Sequence, residues 1–260
     1  MPQRLTIAID TGGTFTDCVY RAAENLEVLK LPSTPADPAR AILNAIEQIA
    51  IRTGATTIEV RHGTTVATNA LLERKGARIA FVTTAGFEDT LAIARQARPR
   101  LYDWNHHRPA PIAGEDCCFG ISERVASDGS VLLSPSKAAL SELRRRIQSS
   151  NVESIAVSLL FAFANPAHEQ AVASALASLR LPISLSHEIL PEFREYERAS
   201  TVALNAYLAP RMQTYIGTLE KKLVRIGAKQ AARLTIMQSS GGVLSAQSAA
   251  REPLDRSAHL

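Results

Sequence analysis

The sequence predicts an α/β protein whose mixed sheet opens with an antiparallel meander and is flanked by helices. At the N-terminus, three short runs rich in β-branched and aliphatic residues follow one another, and a Gly-Gly turn joins the first two. Further along the chain, apolar runs with strand character alternate with longer segments whose apolar residues recur at helical spacing. This alternation is typical of α/β architecture.

The opening meander is expected to lead into one amphipathic helix. Its three strands are predicted at residues 5–9, 15–20 and 26–31. Prolines at positions 35 and 38 interrupt the extended pattern, because proline fixes φ and has no backbone N–H. A helix is predicted over residues 39–52, where Ile42, Ile46 and Ile49 fall on one face and Gly54 provides the end.

The rest of the chain is expected to alternate between strands and helices around one irregular insertion. Strands are predicted at residues 58–61, 79–83, 155–161, 183–186 and 234–237. A helix is predicted between Thr65 and Gly76, and others at residues 86–93, 135–147, 166–179 and 195–226. Pro210 is expected to bend the last of these helices. Residues 97–135, rich in Pro, Gly and Arg, predict an irregular or hairpin-bearing insertion.

Composition predicts an ordinary globular protein that binds neither a membrane nor a nucleic acid. Of the 260 residues, 46% are hydrophobic and 21% charged, and the longest apolar stretch, residues 155–164, is too short to cross a bilayer. The first strand follows the N-terminus without a signal-peptide layout, so a cytoplasmic location is expected. The net charge of +4 is mild, and no recognition helix or aromatic RNA-binding sheet accompanies the basic residues.

The most informative segment is the glycine turn, Asp10-Thr11-Gly12-Gly13-Thr14-Phe15-Thr16-Asp17. Two glycines after a strand leave room for a phosphate beside backbone N–H groups, and hydroxyls from Thr11, Thr14 and Thr16 are expected to donate as well. Asp10 is expected to hold Mg²⁺ directly or through water, and Asp17 to orient the loop or a water molecule. The alternative is a plain hairpin turn, since neither GxxxxGK[ST] nor GxGxxG is present.

Two further stretches are candidate binding sites. The segment His62-Gly63-Thr64-Thr65 follows a predicted strand and opens a predicted helix, where free N–H groups favour an anion. The alternative is an N-cap threonine beside a hydrogen-bonded histidine. Arg95, Gln96 and Arg98 could bind a substrate carboxylate, because the guanidinium fork matches carboxylate geometry, but a solvated loop explains them equally well.

Together with the glycine turn, several motifs resemble the hydantoinase A/5-oxoprolinase family. In chain order they are DTGGTFTD at residues 10–17, RHGTTVATNALLERKG at 61–76, VTTAGF at 82–87, RQARP at 95–99, LPEFREYER at 190–198 and MQSSGG at 237–242. Their order and spacing are family-like from about Leu5 to Pro253, and on this resemblance the chain is identified as a member of the family. Beyond Pro253 the family's glycine-rich second phosphate loop is missing, so the chain is expected to be a truncated N-terminal part.

The resemblance implies a fold and a domain organisation. DTGGTFTD is similar to the first phosphate loop of the actin-like ATPase (ribonuclease H-like) fold, so one lobe of that fold is expected. Residues 1–190 are expected to form the hydantoinase/oxoprolinase N-terminal domain with the phosphate loop. Residues 191–260 are expected to be the truncated start of the hydantoinase A central domain.

The resemblance also implies cofactors, partners and residue roles. ATP and Mg²⁺ are the expected cofactors, with a hydantoinase B-like partner subunit and a cyclic amide or carbonyl substrate. Family similarity places Asp10, Asp17 and His62 as catalytic residues, the glycine turn with Gly63, Thr64 and Thr65 at the phosphates, and Asn69, Arg95, Gln96 and Arg98 at the substrate. Phosphorylation of a carbonyl or enolate oxygen would require positioning and charge neutralisation more than covalent chemistry from the protein.

Three functions remain open from the sequence. The first is ATP-dependent opening of a cyclic amide such as hydantoin or 5-oxoproline. The second is a subunit of an ATP-dependent carboxylase of the acetone or acetophenone type, and the third is a catalytically inactive fragment that acts as an interaction module.

Overall fold

The computed structural model of the protein describes residues 4–22, 25–34, 37–55, 57–97, 102, 110–226, 231–238 and 241–251. The chain divides into two compact units, one of residues 1–75 with 211–260 and the other of residues 76–210. Each unit has its own sheet and its own hydrophobic core. The sequence predicts a domain boundary near residue 190 from the order of domains in the family, whereas these two units are defined by contacts within the structure. The predicted boundary stays a prediction.

The described part of the chain forms twelve strands and eight α-helices. The strands are β1 (Arg4–Thr11), β2 (Phe15–Ala22), β3 (Asn25–Pro32), β4 (Thr57–Thr64), β5 (Ile79–Thr84), β6 (Cys118–Ile121), β7 (Arg124–Val125), β8 (Val131–Leu133), β9 (Ser154–Ser158), β10 (Ile183–Leu185), β11 (Ala231–Met237) and β12 (Val243–Ser245). The helices are α1 (Pro38–Thr53), α2 (Val66–Leu72), α3 (Thr90–Ile93), α4 (Lys137–Ser149), α5 (Ala167–Leu176), α6 (Ser186–Ile189), α7 (Glu195–Ile226) and α8 (Ala246–Arg251).

The first unit contains a six-stranded mixed sheet in the order β12-β11-β4-β1-β2-β3. β1, β2 and β3 form the predicted antiparallel meander. β4 runs parallel to β1, β11 runs parallel to β4, and β12 closes the edge antiparallel to β11. The prediction of a mixed sheet that opens with a meander is therefore confirmed.

One face of the six-stranded sheet is buried by α1, the second half of α7 and α8. Side chains alternate across a strand, so Leu5, Ile7 and Ile9 of β1 enter the core while Asp10 stays exposed on the opposite face. α1 presents its predicted isoleucine face to this core. It ends at Gly54, which takes a left-handed conformation with φ of 64° and donates its N–H to the carbonyl of Ala50.

The second unit is built on a four-stranded parallel sheet in the order β10-β9-β5-β6. α4 and α5 cover one face through Leu143, Ile147 and Val172. The first half of α7 covers the other face through residues that include Val202 and Ala206. Every residue of β5 is buried, as expected for a parallel strand with both faces covered.

β9 ends at Ser158, three residues before its predicted end. The backbone N–H of Leu159 donates to Glu169 Oε1 and that of Leu160 donates to Thr84 Oγ1, both at 3.0 Å. Buried side chains thus replace strand neighbours as the partners of this backbone, and the chain turns away from the sheet.

Other differences concern short elements and helix ends. α2 ends at Leu72 rather than at Gly76, and only Thr90–Ile93 of the helix predicted at 86–93 is helical. α6, β12 and α8 have no counterpart in the sequence prediction, because each is too short for a periodic pattern. The predicted insertion contains β6 and the β7–β8 hairpin, while its residues 98–101 and 103–109 lie outside the described residues.

A buried arginine fixes the segment that leads into α7. Arg198 is 1% exposed and donates from its guanidinium to the carbonyls of Leu159 at 2.9 Å and Glu192 at 2.7 Å. The same group lies 5.3 Å from the centroid of the Phe163 ring. α7 itself has the predicted bounds, Glu195–Ile226, and contains Pro210.

We expect Gly76→Ala to destabilise the protein by about 2 kcal/mol, because a Cβ at this position would lie 2.1 Å from Cε1 of the Tyr207 ring. The matched control is Gly217→Ala in α7, where nothing lies within 4 Å of the added Cβ. That substitution should stabilise the protein by up to about 1 kcal/mol, since alanine favours helix more than glycine does. Urea denaturation of both variants tests the pair, and equal effects would contradict the close packing at Gly76.

Candidate phosphate-binding site

The glycine turn connects β1 to β2 as a braced hairpin. The N–H of Gly12 donates to the carbonyl of Phe15 at 3.0 Å. Ser33 braces the turn from the end of β3, donating its hydroxyl to the Gly12 carbonyl and its N–H to the Thr14 carbonyl, both at 2.8 Å. The hairpin expected from the Gly-Gly pair is thus present. The sequence predicts that the Gly12 N–H donates to a phosphate, but this N–H is already bonded to the Phe15 carbonyl.

The tip of the turn remains open. Gly13 and Thr14 are exposed, and nothing lies within 4 Å of the position that a Cβ would take at Gly13. Within the described residues, no hydrogen bond engages the N–H of either residue. Two consecutive backbone donors with free space beside them form the kind of concave backbone site that binds phosphate oxygens.

A row of charged side chains crosses the open face of the sheet beside the turn. Asp10 lies opposite Asp17 on β2 and opposite Gly63 on β4, and Asp17 lies opposite Lys30 on β3. Lys30 Nζ is 3.2 Å from Asp17 Oδ1. A Cβ at Gly63 would lie 3.3 Å from Asp10 Oδ1, so glycine leaves space for this carboxylate.

The row leaves one carboxylate available near the tip. Opposed like charges on neighbouring strands repel, and Lys30 offsets this repulsion at Asp17 alone. Asp10 is exposed and has no ion-pair partner among the described residues. Mg²⁺ binds through one or two carboxylates together with phosphate oxygens and water, so Asp10 suits the predicted role. In the described ranges, no cluster of three or more His, Cys, Asp or Glu residues could hold a metal ion.

The threonines of the turn divide between its two faces. Thr11 and Thr16 lie opposite each other on the core side, and Thr16 is fully buried with Oγ1 3.0 Å from Ser33 Oγ. The prediction that Thr16 donates to phosphate is therefore corrected: its hydroxyl helps to brace the turn. Thr11 is 5% exposed, and its Oγ1 has no hydrogen-bond partner within the described residues. A buried unpaired hydroxyl of this kind requires a ligand or water.

His62 occupies the core below the turn. It is fully buried, with Nδ1 3.3 Å from the carbonyl of Ile9 and Nε2 2.6 Å from the hydroxyl of Tyr215. A carbonyl only accepts, so Nδ1 carries the proton and Nε2 accepts from Tyr215. Burial lowers the pKa of His62 to about 4. The prediction that His62 faces substrate or phosphate is corrected, because both ring nitrogens are engaged inside the core.

The residues after Gly63 lie against the turn. Thr65 Oγ1 donates to the carbonyl of Thr11 at 3.4 Å, and Asn69 Nδ2 donates to Thr65 Oγ1 at 3.3 Å. Thr64 Oγ1 accepts from the N–H of Val66 at 3.2 Å. The structure thus brings the candidate segment at 63–65 and the exposed Asn69 to the glycine turn, and their phosphate and substrate roles stay predictions.

The predicted substrate residues Arg95 and Gln96 belong to the second unit. The guanidinium of Arg95 pairs with the carboxylate of Glu197, so this fork already binds a carboxylate of the protein. Ala94 and Gln96 have positive φ values of 51° and 54°, which are unusual for residues with side chains. Arg98 lies outside the described residues, and the substrate role of all three predicted residues stays a prediction.

Three residues of the site have no signal in the local sequence. Ser33 and Lys30 reach the turn only because β3 pairs with β2 in one register. Tyr215 lies 153 residues from His62 along the chain. A local sequence motif cannot include both members of such a pair, because the two residues lie too far apart in the chain.

The chain matches two models of one protein family. The hydantoinase/oxoprolinase N-terminal region matches residues 6–179, and hydantoinase/oxoprolinase matches residues 198–258. The caprolactamase subunit alpha of Pseudomonas jessenii is 35% identical over 254 residues, which cover 93% of this chain and 36% of the relative. The acetophenone carboxylase gamma subunit of Aromatoleum aromaticum is 34% identical over 259 residues, which cover 91% and 35%.

Two further comparisons concern an oxoprolinase and a solved structure. The 5-oxoprolinase of Saccharomyces cerevisiae is 29% identical over 285 residues, which cover 92% of this chain and 22% of the relative. A crystal structure of ATP-dependent caprolactamase from Pseudomonas jessenii superposes with a TM-score of 0.80 at 32% identity, over 92% of this chain and 36% of that chain. The chain thus spans at most a little over a third of these relatives. The predicted actin-like ATPase fold class is confirmed by this likeness together with the mixed sheet.

Among the residues that the structure describes, no helix has both the length and the apolar character needed to cross a bilayer.

We expect the stability of the protein to fall as the pH drops from about 6.5 to about 4, with His62 contributing up to about 3 kcal/mol. In this window the unfolded histidine binds a proton and the folded one does not, so acid favours the unfolded state. Urea denaturation across this range should show a smaller loss for His62→Asn.

The contribution of His187 to stability depends on pH in the opposite sense and over a different pH range. Its hydrogen bond with Glu169 raises its pKa, so its contribution is complete below about 6.5 and declines at higher pH. NMR titration of the wild-type histidines gives a second measurement. Protonation of His62 near its ordinary pKa would contradict the buried neutral ring.

Proposed function

This chain belongs to the hydantoinase/oxoprolinase family, and from that premise we propose that it is the phosphate-holding N-terminal part of an ATP-dependent enzyme that opens a cyclic amide. The open tip of the glycine turn carries the proposal. Two unengaged backbone donors lie there next to an exposed carboxylate, and a buried unpaired hydroxyl lies on the core side of the same turn. This donor set fits a nucleotide phosphate with its Mg²⁺ ion.

Each group at the tip has a distinct proposed role. The N–H groups of Gly13 and Thr14 donate to phosphate oxygens, and the hydroxyl of Thr11 completes its hydrogen bonding to the same ligand or to a water beside it. Asp10 holds Mg²⁺ directly or through water, while Asp17 stays paired with Lys30. ATP, when bound, supplies the phosphoryl group that activates an amide carbonyl. The protein's own contribution is positioning and charge neutralisation.

The domain organisation and the partners are part of the same proposal. Residues 1–190 serve as the phosphate-binding domain, and residues 191–260 serve as the beginning of the next domain. The chain covers 36% of the caprolactamase subunit and 35% of the acetophenone carboxylase subunit, and both relatives are named as subunits. Further polypeptide and a hydantoinase B-like subunit would complete the nucleotide and substrate sites. The cyclic amide itself, and the cytoplasmic location, remain predictions from the sequence.

A carboxylase is the second candidate function. The acetophenone carboxylase subunit and the caprolactamase subunit are nearly equally similar to this chain, at 34% and 35% identity. Both relatives share the matched part, so this part alone does not favour either reaction. Incubation with ATP, labelled bicarbonate and a ketone or cyclic amide distinguishes them: label in the product supports carboxylation, and an unlabelled ring-opened acid supports hydrolysis. If neither forms, the chain acts as an inactive interaction module or requires its partners.

We expect Asp10→Asn and Gly13→Ala each to weaken binding of Mg-ATP at least about tenfold in calorimetric titration, which corresponds to about 1.4 kcal/mol. Asp10→Asn removes the charge that faces Mg²⁺. Gly13→Ala places a methyl group where the phosphate approaches, although it meets nothing in the protein within 4 Å.

Two controls accompany this titration. Glu47→Gln neutralises an exposed carboxylate on α1 and should bind Mg-ATP like the wild type. Circular dichroism should show that Gly13→Ala leaves the melting temperature unchanged. Unaltered affinity in Asp10→Asn, or no binding by the folded wild type at millimolar Mg-ATP, would refute nucleotide binding at this turn.

A further inference from the structure

A polar pair is buried directly below the glycine turn. His62 is fully buried, Tyr215 is 8% exposed, and their Nε2 and hydroxyl oxygen are 2.6 Å apart. The two residues come from different elements, β4 and the second half of α7, and both belong to the first unit. The apolar core of that unit surrounds them.

The hydrogen bonds of this pair have a fixed direction. His62 Nδ1 donates to the carbonyl of Ile9, so the hydroxyl of Tyr215 must donate to Nε2. Burial raises the pKa of Tyr215 to about 12, while a hydrogen bond with the Thr64 side chain acts to lower it. Thr64 Oγ1 also accepts from the N–H of Val66. The two hydrogen bonds of His62 therefore connect α7, through Tyr215, to the last carbonyl before Asp10.

The location of this hydrogen-bonded pair indicates its role better than its contribution to stability does. Buried polar groups must be desolvated, and an apolar pair of similar size could fill the same volume without that cost. A fully bonded polar pair, by contrast, permits only one arrangement of the groups it joins. Here it joins the end of β1 to the residues around Gly63, the two segments that flank the Asp10 carboxylate.

We propose that His62 and Tyr215 are positioning residues, which hold the Ile9–Asp10 peptide and the Gly63 segment in the arrangement that receives a nucleotide phosphate. The inference rests on the proposed function for its nucleotide. His62 does not touch the ligand, because it has no exposed surface. It acts through the backbone of β1, and Tyr215 acts through His62.

The first test compares two tyrosine-to-phenylalanine substitutions in the same core. Tyr215→Phe removes the donor to His62. Tyr20→Phe removes a hydroxyl that donates to Glu27 Oε2 at 2.6 Å, at a strand position opposite Ile7 rather than at the turn. We expect Tyr215→Phe to weaken Mg-ATP binding about fivefold to tenfold, and Tyr20→Phe to leave it unchanged. Equal affinities in the two folded variants would overturn the proposal.

Two further variants test the two hydrogen bonds of His62 separately. Asparagine can place an amide N–H near the position of Nδ1 and keep the bond to Ile9, whereas glutamine can place an acceptor near Nε2 and keep the bond from Tyr215. Since the turn is held through Ile9, His62→Asn should retain more nucleotide affinity than His62→Gln. The reverse order would count against positioning through β1.

NMR measurements test this positioning role independently of nucleotide binding and of protein stability. The ¹⁵N shifts of wild-type His62 should report a neutral ring protonated at Nδ1, and protonation at Nε2 would overturn the proposal. The backbone amide signals of Asp10, Gly12 and Gly13 should shift in Tyr215→Phe and stay in place in Tyr20→Phe. If wild-type protein fails to bind Mg-ATP while these signals shift as expected, the proposed function fails and the positioning role stands. If nucleotide binds but the signals stay in place, the positioning role fails alone.

Discussion

The register of β1 between β2 and β4 is the constraint on which the candidate site depends. It directs Ile7 and Ile9 into the core and leaves Asp10 on the open face, opposite Asp17 and Gly63. Because side chains alternate, a slip of one residue would bury the carboxylate and expose the isoleucines. Hydrophobic burial on one face therefore fixes the placement of charge on the other, and the open tip of the glycine turn follows directly from the end of the strand.

Buried polar side chains supply the positional detail that apolar packing leaves open. In the first unit, His62 and Tyr215 join β1, β4 and α7 below the turn. In the second unit, Glu169 and Arg198 bind the backbone at Leu159, where β9 ends. In both units, a buried side chain binds a backbone carbonyl of a distant segment: His62 that of Ile9 and Arg198 that of Leu159. Such contacts fix a backbone position, because leaving any member unpaired would cost free energy.

The chain combines an open glycine turn, proposed here to bind phosphate, with a limited share of the family's length. A single turn can contribute donors and one carboxylate, but phosphoryl transfer requires charge stabilisation from several directions. In the second unit, the guanidinium of Arg95 already pairs with the carboxylate of Glu197, so this side chain is not free for a substrate carboxylate in this arrangement. Family membership and the proposed phosphate chemistry are thus consistent with one another.

The sequence by itself determined the α/β class, the meander, α7 and the family, because hydrophobic periodicity, glycine turns and motif spacing are local properties of a chain. It also pointed to Asp10, Gly13 and Thr65, whose roles at the candidate site stay predictions. It misassigned His62 and Thr16, and it gave no sign of Ser33, Lys30 or Tyr215. Only the tertiary structure decided these, since whether a polar side chain faces a ligand or a buried partner depends on strand register and on residues distant in the chain. A histidine after a strand looks the same in sequence whether its nitrogens meet a phosphate or the Tyr215 hydroxyl.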